Sequence, residues 1–405
     1  MSDGGPILGR GQSTGTRVAI VGAARTPIGK FRGELHRVPA VILGQVAARE
    51  ALARAGVRAD QVNETLIGHG IQAGMGQNTA RQVALGIGIP VTSGATTINK
   101  VCGSGMKAVT LGAAAVRVGD LGIALTGGME SMDKAPHILL DLREGIKFGD
   151  DPLRDAMLLD SLLDAYDHQH MGVTGEDVAR RYGITRAEAD QFSFESNRKA
   201  IQATEQGWLK DEIVPVPASI TGNHELTRDE GPRADSSVEK LSKLKPAFLP
   251  EGILTAGNSS QLSDGAAALV LASESRVQEL GLKPLAWVHS YHTSGVEPSR
   301  VMESPIPTVR EHLAKTGLTV EDIDLFEHNE AFSTASIAVR KALNIPAEKF
   351  NVHGGAVALG HPIGCSGTRI IVTLLYAMRR RNVHRGLATL CMGGGNGMSV
   401  ILESP

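Results

Sequence analysis

Residues 96–119, Thr96-Thr97-Ile98-Asn99-Lys100-Val101-Cys102-Gly103-Ser104-Gly105-Met106 and on through KAVTLGAAAVRVG, carry the reading that decides the fold. The residues before Cys102 read as a strand. Those after it read as a helix of small residues closed by Gly119, where a left-handed cap suits glycine. A strand that passes through a short turn into a closely packing helix is the unit of layered α/β folds.

The same unit recurs further along. AGVRADQVNETLIGHG, from Ala55, runs helix end, glycine stop, charged loop and apolar strand, and TGLTVEDIDLFEHNE, from Thr316, repeats that order at an offset of about 261 residues. The offset brings Cys102 to within two residues of Cys365 in GCSGTRIIV, and GIALTGGMES close to GLATLCMGGGNG. Two homologous halves are expected. Each alternates strands such as Val18–Ala23 with helices such as Val41–Ala55, the latter bounded by Pro39 and Gly56. The symmetry breaks from Met132 to Gln261, a stretch with the polar segment GNHELTRDEGPRADSSVEK and a helical run at Arg186–Thr204. It reads as an insertion covering the carboxyl ends of the strands, a candidate substrate lid.

Composition narrows the function. Of 405 residues, 48 are Gly and only 3% are aromatic, so the core must pack Ala, Val, Ile and Leu around glycine backbone. Lys and Arg number 41 against 43 Asp and Glu, and a net charge of -2 offers no electrostatic reason to bind nucleic acid or an anionic membrane. The longest apolar run, Gly265–Ala272, is far below the roughly 18 residues of a membrane span, and a soluble protein is expected. MSDGGPILGRGQSTGT shows neither a secretory nor a transit pattern and reads as a short tail. Three widely spaced cysteines, Cys102, Cys365 and Cys391, argue against a disulfide framework and suit the cytoplasm.

Four places could carry chemistry. Cys102 opens a helix, where unsatisfied N–H groups and the dipole favour a thiolate and could hold an oxyanion; a buried structural cysteine is the alternative. His361, in GHPIG, sits in a loop stripped of neighbouring side chains and could serve Cys102 as a base, or only satisfy backbone carbonyls. Cys391 ends an apolar strand before Gly393, Gly394 and Gly395. Those glycines leave N–H groups free to approach a reacting atom, and too little chain follows for a dinucleotide site. Asn329, after the strand LFEH, could orient a water or cap its loop. His168 and His170 are too few for a metal site and read as lining a cleft.

Together these segments resemble the thiolase family, and within it the acetyl-CoA C-acetyltransferase members, from ARTPIGKF at Ala24 to the end of the chain. INKVCGSGMKAV, GGMESM, HMG at His170, TAGNSS at Thr255, NEAF at Asn329, GGAVALGHPIG at Gly354 and CMGGGNG at Cys391 occur in family order. The resemblance implies an α/β thiolase-like fold of two duplicated βαβαβαββ halves in α-β-α-β-α layers with an inserted loop domain. The N-terminal half is placed at 1–131, completed by 262–286, the inserted CoA-binding domain at 132–261 and the C-terminal half at 287–405.

It implies reversible condensation of two acetyl-CoA to acetoacetyl-CoA plus CoA, by a ping-pong route through acyl-Cys102. His361 would activate Cys102, and Cys391 would move the α-proton. His361 and a water on Asn329 would form one oxyanion hole, the N–H groups of Cys102 and Gly393 the other. Coenzyme A would contact Ser260, His170, Met171, Phe248 and Ala256, with Arg233 toward its nucleotide end. No permanent cofactor, metal, nucleic acid or membrane partner is implied. The resemblance also implies a homotetramer, a dimer of dimers, with the strand before Cys102 near a partner subunit. Alternatives are a 3-ketoacyl-CoA thiolase of fatty-acid β-oxidation acting on longer chains, and a non-catalytic acyl-CoA-binding relative. Gln261 and His353 stand where Gly and Asn are common, Asn396 where a longer side chain is usual, and ESP after Met302 where GxGP is often found; these departures are expected to flank the cleft.

Overall fold

The structure is a computed structural model and describes residues 15–405, so most of the tail reading lies outside the described residues. The first half comprises β1 (Val18–Arg25), α1 (Ala40–Ala55), β2 (Glu64–Gly68), α2 (Thr79–Gly86), β3 (Gly94–Ile98), α3 (Ser104–Val118) and β4 (Ile123–Ser131). After α4 (Met171–Tyr182) and α5 (Arg186–Glu205), β5 (Ser263–Ser273) returns to lie between β1 and β4. The second half repeats the plan with β6 (Ala286–Gly295), α6 (Pro305–Thr316), β7 (Leu325–His328), α7 (Ser333–Ala342), α8 (Ile363–Arg381), β8 (Arg385–Met392) and β9 (Asn396–Glu403). Its counterpart of β3 is reduced to a single parallel bridge between Phe326 and Phe350.

The large sheet runs β7-β8-β9-β6-β1-β5-β4-β2-β3, and its two halves join where β1 and β6 pair at Ala19–Trp287 and Ile20–Ala286. Helices α3 and α8 pack against each other and fill the space between the half-sheets, while α1 covers the outer face of the first and α6 that of the second. This is the five-layer α/β arrangement. Side chains alternate along β1 accordingly. Val18, Ile20 and Ala23 enter the middle core with Met106, Val109, Ile370 and Leu374, and Ala19, Val21 and Ala24 enter the outer core with Leu43, Ala47 and Ala51. A register shift between Ile20 and Gly22 moves the alternation by one residue. Each large aliphatic side chain buried in this way contributes about 1.5–3 kcal/mol.

Glycine lets the middle layer form. A Cβ on Gly105 would press on Thr368, and one on Gly367 would press on the backbone of Met106, so α3 and α8 cross at glycines. The helix stops behave as read: Gly56 and Gly119 cap α1 and α3 with φ of 67° and 88°.

Residues 132–261 add no strand to the large sheet; besides α4, α5 and short helices they hold a two-stranded ribbon, His137–Ile138 with Arg154–Asp155. The segment GNHELTRDEGPRADSSVEK, read as a polar linker, is tied to the core. Fully buried Arg25 bonds Glu212 through Nε at 2.7 Å and Asp229 through both terminal nitrogens at 2.7 and 2.9 Å. The Ile28 N–H donates to the same Asp229 at 2.8 Å.

Candidate active site

Cys102 stands two residues before α3, with Gly103 as the helix cap, and not in the first turn of the helix. Its thiolate is therefore not favoured as the sequence suggested. Burial, with the nearby Cys391, pushes the thiol up to about 12, although the N–H groups of Gly393 and Cys102 donate toward the sulfur and pull the other way. Cys391 is the last residue but one of β8, where burial raises its thiol to about 12. Its Sγ lies 3.8 Å from Met302 Sδ.

His361 sits between Gly360 and Pro362 at the start of α8. Gly360 has φ 109°, and a Cβ there would run into Ser263, so only glycine gives the loop this course. Burial, and secondarily Arg369, lowers the imidazole to about 3, which leaves it neutral near pH 7. Its Nδ1 lies 2.5 Å from Ser366 Oγ, whose hydroxyl donates to Pro362 O at 2.9 Å. With the Ser366 hydrogen so used, Nδ1 must carry the proton, and Nε2 is left with its lone pair 3.3 Å from Asn329 Nδ2. Asn329 is fully buried, and its Oδ1 has no partner among the described residues.

These groups meet in one place. A narrow cavity is lined by Cys102, His361, Cys391, Gly393, Ser260 and Met171, with Met302 and Phe332 among its apolar walls. A wider adjoining cavity is lined by His170, Arg233, Phe248, Ala256, Ser260 and His361, with Gln261 and Lys30. Leu162, Ser260, Phe332, His361 and Ile363 belong to both, so the wider outer space leads to the narrow inner one. The insertion supplies the outer walls. His170 caps α4 by accepting from Gly172 N at 2.9 Å, its ring stacks on Phe248 at 4.9 Å, and Phe248 meets Phe332 edge-on at 5.7 Å. Arg233 N donates to Asn197 Oδ1 at 2.9 Å.

Other placements differ from the sequence reading. His168 is exposed on a turn and lines neither cavity. Of Gln261, His353 and Asn396, only Gln261 lines either of these two cavities; its Nε2 donates to Gly231 O at 3.1 Å and Ala358 O at 3.3 Å, stitching the insertion to the His361 loop. His353 is buried beside Trp208, and Asn396 pairs with Met392 in the β8–β9 hairpin. In ESP, Glu303 holds Arg300 at 2.7 Å and also pairs with Arg181.

Sequence reasoning passed over the residues that hold these loops. Buried Glu130 accepts from Gly70 N at 3.0 Å, Ile71 N at 3.2 Å and Gly364 N at 2.9 Å, tying the end of β4 to the start of α8. Buried Glu330 accepts from Ser196 Oγ and Asn351 Nδ2, both at 2.7 Å. A carboxylate inside an apolar run, as in IALTGGMES, is the signal that marks such an anchor. Ser366 and Lys30 carry no comparable signal.

The thiolase N-terminal domain family model matches residues 18–275, and the thiolase C-terminal domain model matches 282–404. Acetyl-CoA acetyltransferase of Chromobacterium violaceum is 47% identical over 390 residues, 96% of this chain and 100% of that one. The cytosolic acetyl-CoA acetyltransferase of Rattus norvegicus is 46% identical over 95% of this chain and 98% of its own. The crystal structure of the Bacillus anthracis acetyl-CoA acetyltransferase superposes with a TM-score of 0.94 at 41% identity, covering 97% of this chain and 100% of that one. Human mitochondrial 3-ketoacyl-CoA thiolase in complex with CoA gives 0.93 at 36% identity, covering 96% and 98%.

Proposed function

The chain belongs to the thiolase family, and on that premise we propose a route by which it joins two acetyl-CoA into acetoacetyl-CoA and CoA, and reverses that reaction, through acyl-Cys102. The acyltransferase activity is the one its relatives are named for, and the longer-chain reading is not favoured. The observation that carries the route is the meeting of two thiols and one neutral imidazole in a single narrow cavity.

In the first half-reaction the Cys102 proton passes to His361 Nε2 and the sulfur attacks the thioester carbon. The developing oxyanion lies against the N–H groups of Cys102 and Gly393, the two donors that already point at the Cys102 sulfur. The carbon–sulfur bond to CoA breaks, Cys391 protonates the leaving thiolate, and CoA departs. The enzyme now holds an imidazolium and a Cys391 thiolate.

The second acetyl-CoA binds with its carbonyl oxygen toward His361 Nε2–H and a water on Asn329, whose unpartnered Oδ1 suits that role. Cys391 takes the α-proton. Burial makes this thiolate scarce in the resting enzyme but also a strong base once formed, which a weak carbon acid requires. The enolate carbon attacks the acyl carbon, the Cys102–carbon bond breaks, and His361 returns its proton to Cys102. Protons balance over the cycle.

Coenzyme A thioesters are the substrates. Their pantetheine arm would lie along Ser260, Met171, His170, Phe248 and Ala256, with Arg233 and Lys30 near the anionic end. The cycle calls on no permanent cofactor. A homotetramer is the proposed assembly; β3 ends the sheet with an exposed edge that a second copy can pair. No helix among the described residues is long and apolar enough to cross a membrane, and three free thiols suit a reducing compartment such as the cytoplasm.

Mixing the enzyme with acetyl-CoA tests the route: peptide mass spectrometry should find an acetyl group on Cys102, and Cys102→Ser should lose thiolysis of acetoacetyl-CoA. An adduct elsewhere, or thiolysis retained by Cys102→Ser, rejects it.

A further inference from the structure

The turn that presents Cys102 holds a conformation its residue resists. Among the described residues, seven other than glycine have positive φ, four of them Asn, and Val101 at 48° is the β-branched one. A β-branched side chain is crowded in this region, so the surroundings must impose the geometry. Two side chains do so. Asn99 Oδ1 accepts from Val101 N at 3.0 Å while its Nδ2 donates to Gly70 O at 3.0 Å, anchoring the turn to the loop after β2. Ser104, fully buried at the start of α3, accepts from Lys100 N at 2.8 Å and donates to Val101 O at 2.6 Å. The backbone is thus gripped on both sides of Val101.

We propose that Ser104 and Asn99 are positioning residues: by holding Val101 at positive φ they aim the Cys102 N–H into the cavity, where it serves as half of the oxyanion hole of acyl transfer. This rests on Cys102 being the acylated residue. The Cys102 N–H and that of Gly393 converge on the Cys102 sulfur, beside which the thioester oxygen would lie. Relaxing Val101 to negative φ rotates the peptide that follows it, and the Cys102 N–H with it. The cavity would then keep its thiol and lose a donor.

Two reactions at the same sulfur separate this role from a general structural one. Acetylation by acetyl-CoA builds an oxyanion. Alkylation by iodoacetamide, at a saturated carbon, does not. In the full-length enzyme, Ser104→Ala should slow single-turnover acetylation of Cys102 by on the order of 100-fold, while alkylation at the same pH, which loses only the N–H's stabilisation of the thiolate, falls by less than about 10-fold. Equal loss in both reactions, or no loss in either, overturns the proposal.

A second variant keeps the test decisive if Ser104→Ala folds poorly. Asn tolerates positive φ, so adding Val101→Asn to Ser104→Ala should restore acetylation at least about tenfold over the single variant. Failure to restore it also overturns the proposal. Wild-type enzyme that acquires no acetyl group on Cys102 rejects the reading of Cys102 instead; a normal wild-type adduct with an unaffected Ser104→Ala rejects only this inference.

Discussion

The two halves share one topology and differ most at one connection. In the second half β8 turns directly into β9: Cys391 pairs with Gly397, Met392 with Asn396, and Gly393, Gly394 and Gly395 make the turn, the last two with φ of 81° and 79°. In the first half the matching strands, β4 and β5, are paired as far as Ser131–Asp264, yet residues 132–262 separate them in sequence. A three-glycine hairpin is tight and bare. It brings Cys391 and Gly393 to the wall of the inner cavity, but its own three residues have no side chains to wall a pocket. The opened connection supplies those walls, His170, Met171, Phe248 and Arg233. One duplicated position thus supplies the proposed reacting groups in one half and walls of the two cavities in the other.

The sharpest way to break that division is at the hairpin. Cys391→Ala should lower condensation by about 10²–10⁴-fold, the range for a general acid–base group, while acetylation of Cys102 still occurs. Quench-flow acetylation alongside steady-state condensation checks it, and equal loss in both would mean the thiols do not divide the work.

The insertion can be tested at its clamp. Arg25→Met leaves Glu212 and Asp229 buried without their cation, and unfolding in urea should show a loss of about 3–5 kcal/mol. Limited proteolysis should then cut first within 222–240. An unchanged midpoint would mean that the insertion is held without the clamp.

The smallest effect sharpens the state of Cys102. Because burial raises its thiol to about 12, the thiolate fraction grows tenfold for each unit of pH below that value. Iodoacetamide alkylation should therefore rise about 100-fold from pH 6 to pH 8 without levelling off. A plateau near neutrality would reveal a preformed thiolate–imidazolium pair.

Signals confined to a few neighbouring residues were legible beforehand. Pro39 and Gly56 bound α1, Gly119 closes α3, and the helix read at Arg186–Thr204 runs one residue further. The site residues stood out because small, loop-forming neighbours surround Cys102, His361 and Cys391 in the chain itself. Anchors were missed for the opposite reason. Glu130 bonds Gly364, 234 residues away, and Arg25 bonds Asp229 across 204 residues, so nothing beside either in sequence announces its partner. Asp229 lay in what reads as an ordinary solvated linker.

By itself the sequence determined the duplicated halves and the place of the insertion and singled out the side chains proposed to react, because glycine stops, strand periodicity and loop chemistry are local properties. The tertiary structure alone decided the state of those side chains. Whether a thiol at a strand–helix junction ionises depends on how much water and how many N–H groups reach it. For Cys102, desolvation by elements from both halves outweighs the donors, reversing what its position in the chain suggested. The same packing gave His361 its tautomer, through Ser366 and Pro362, and its neutrality. Both are set by surroundings that exist only once the chain has folded.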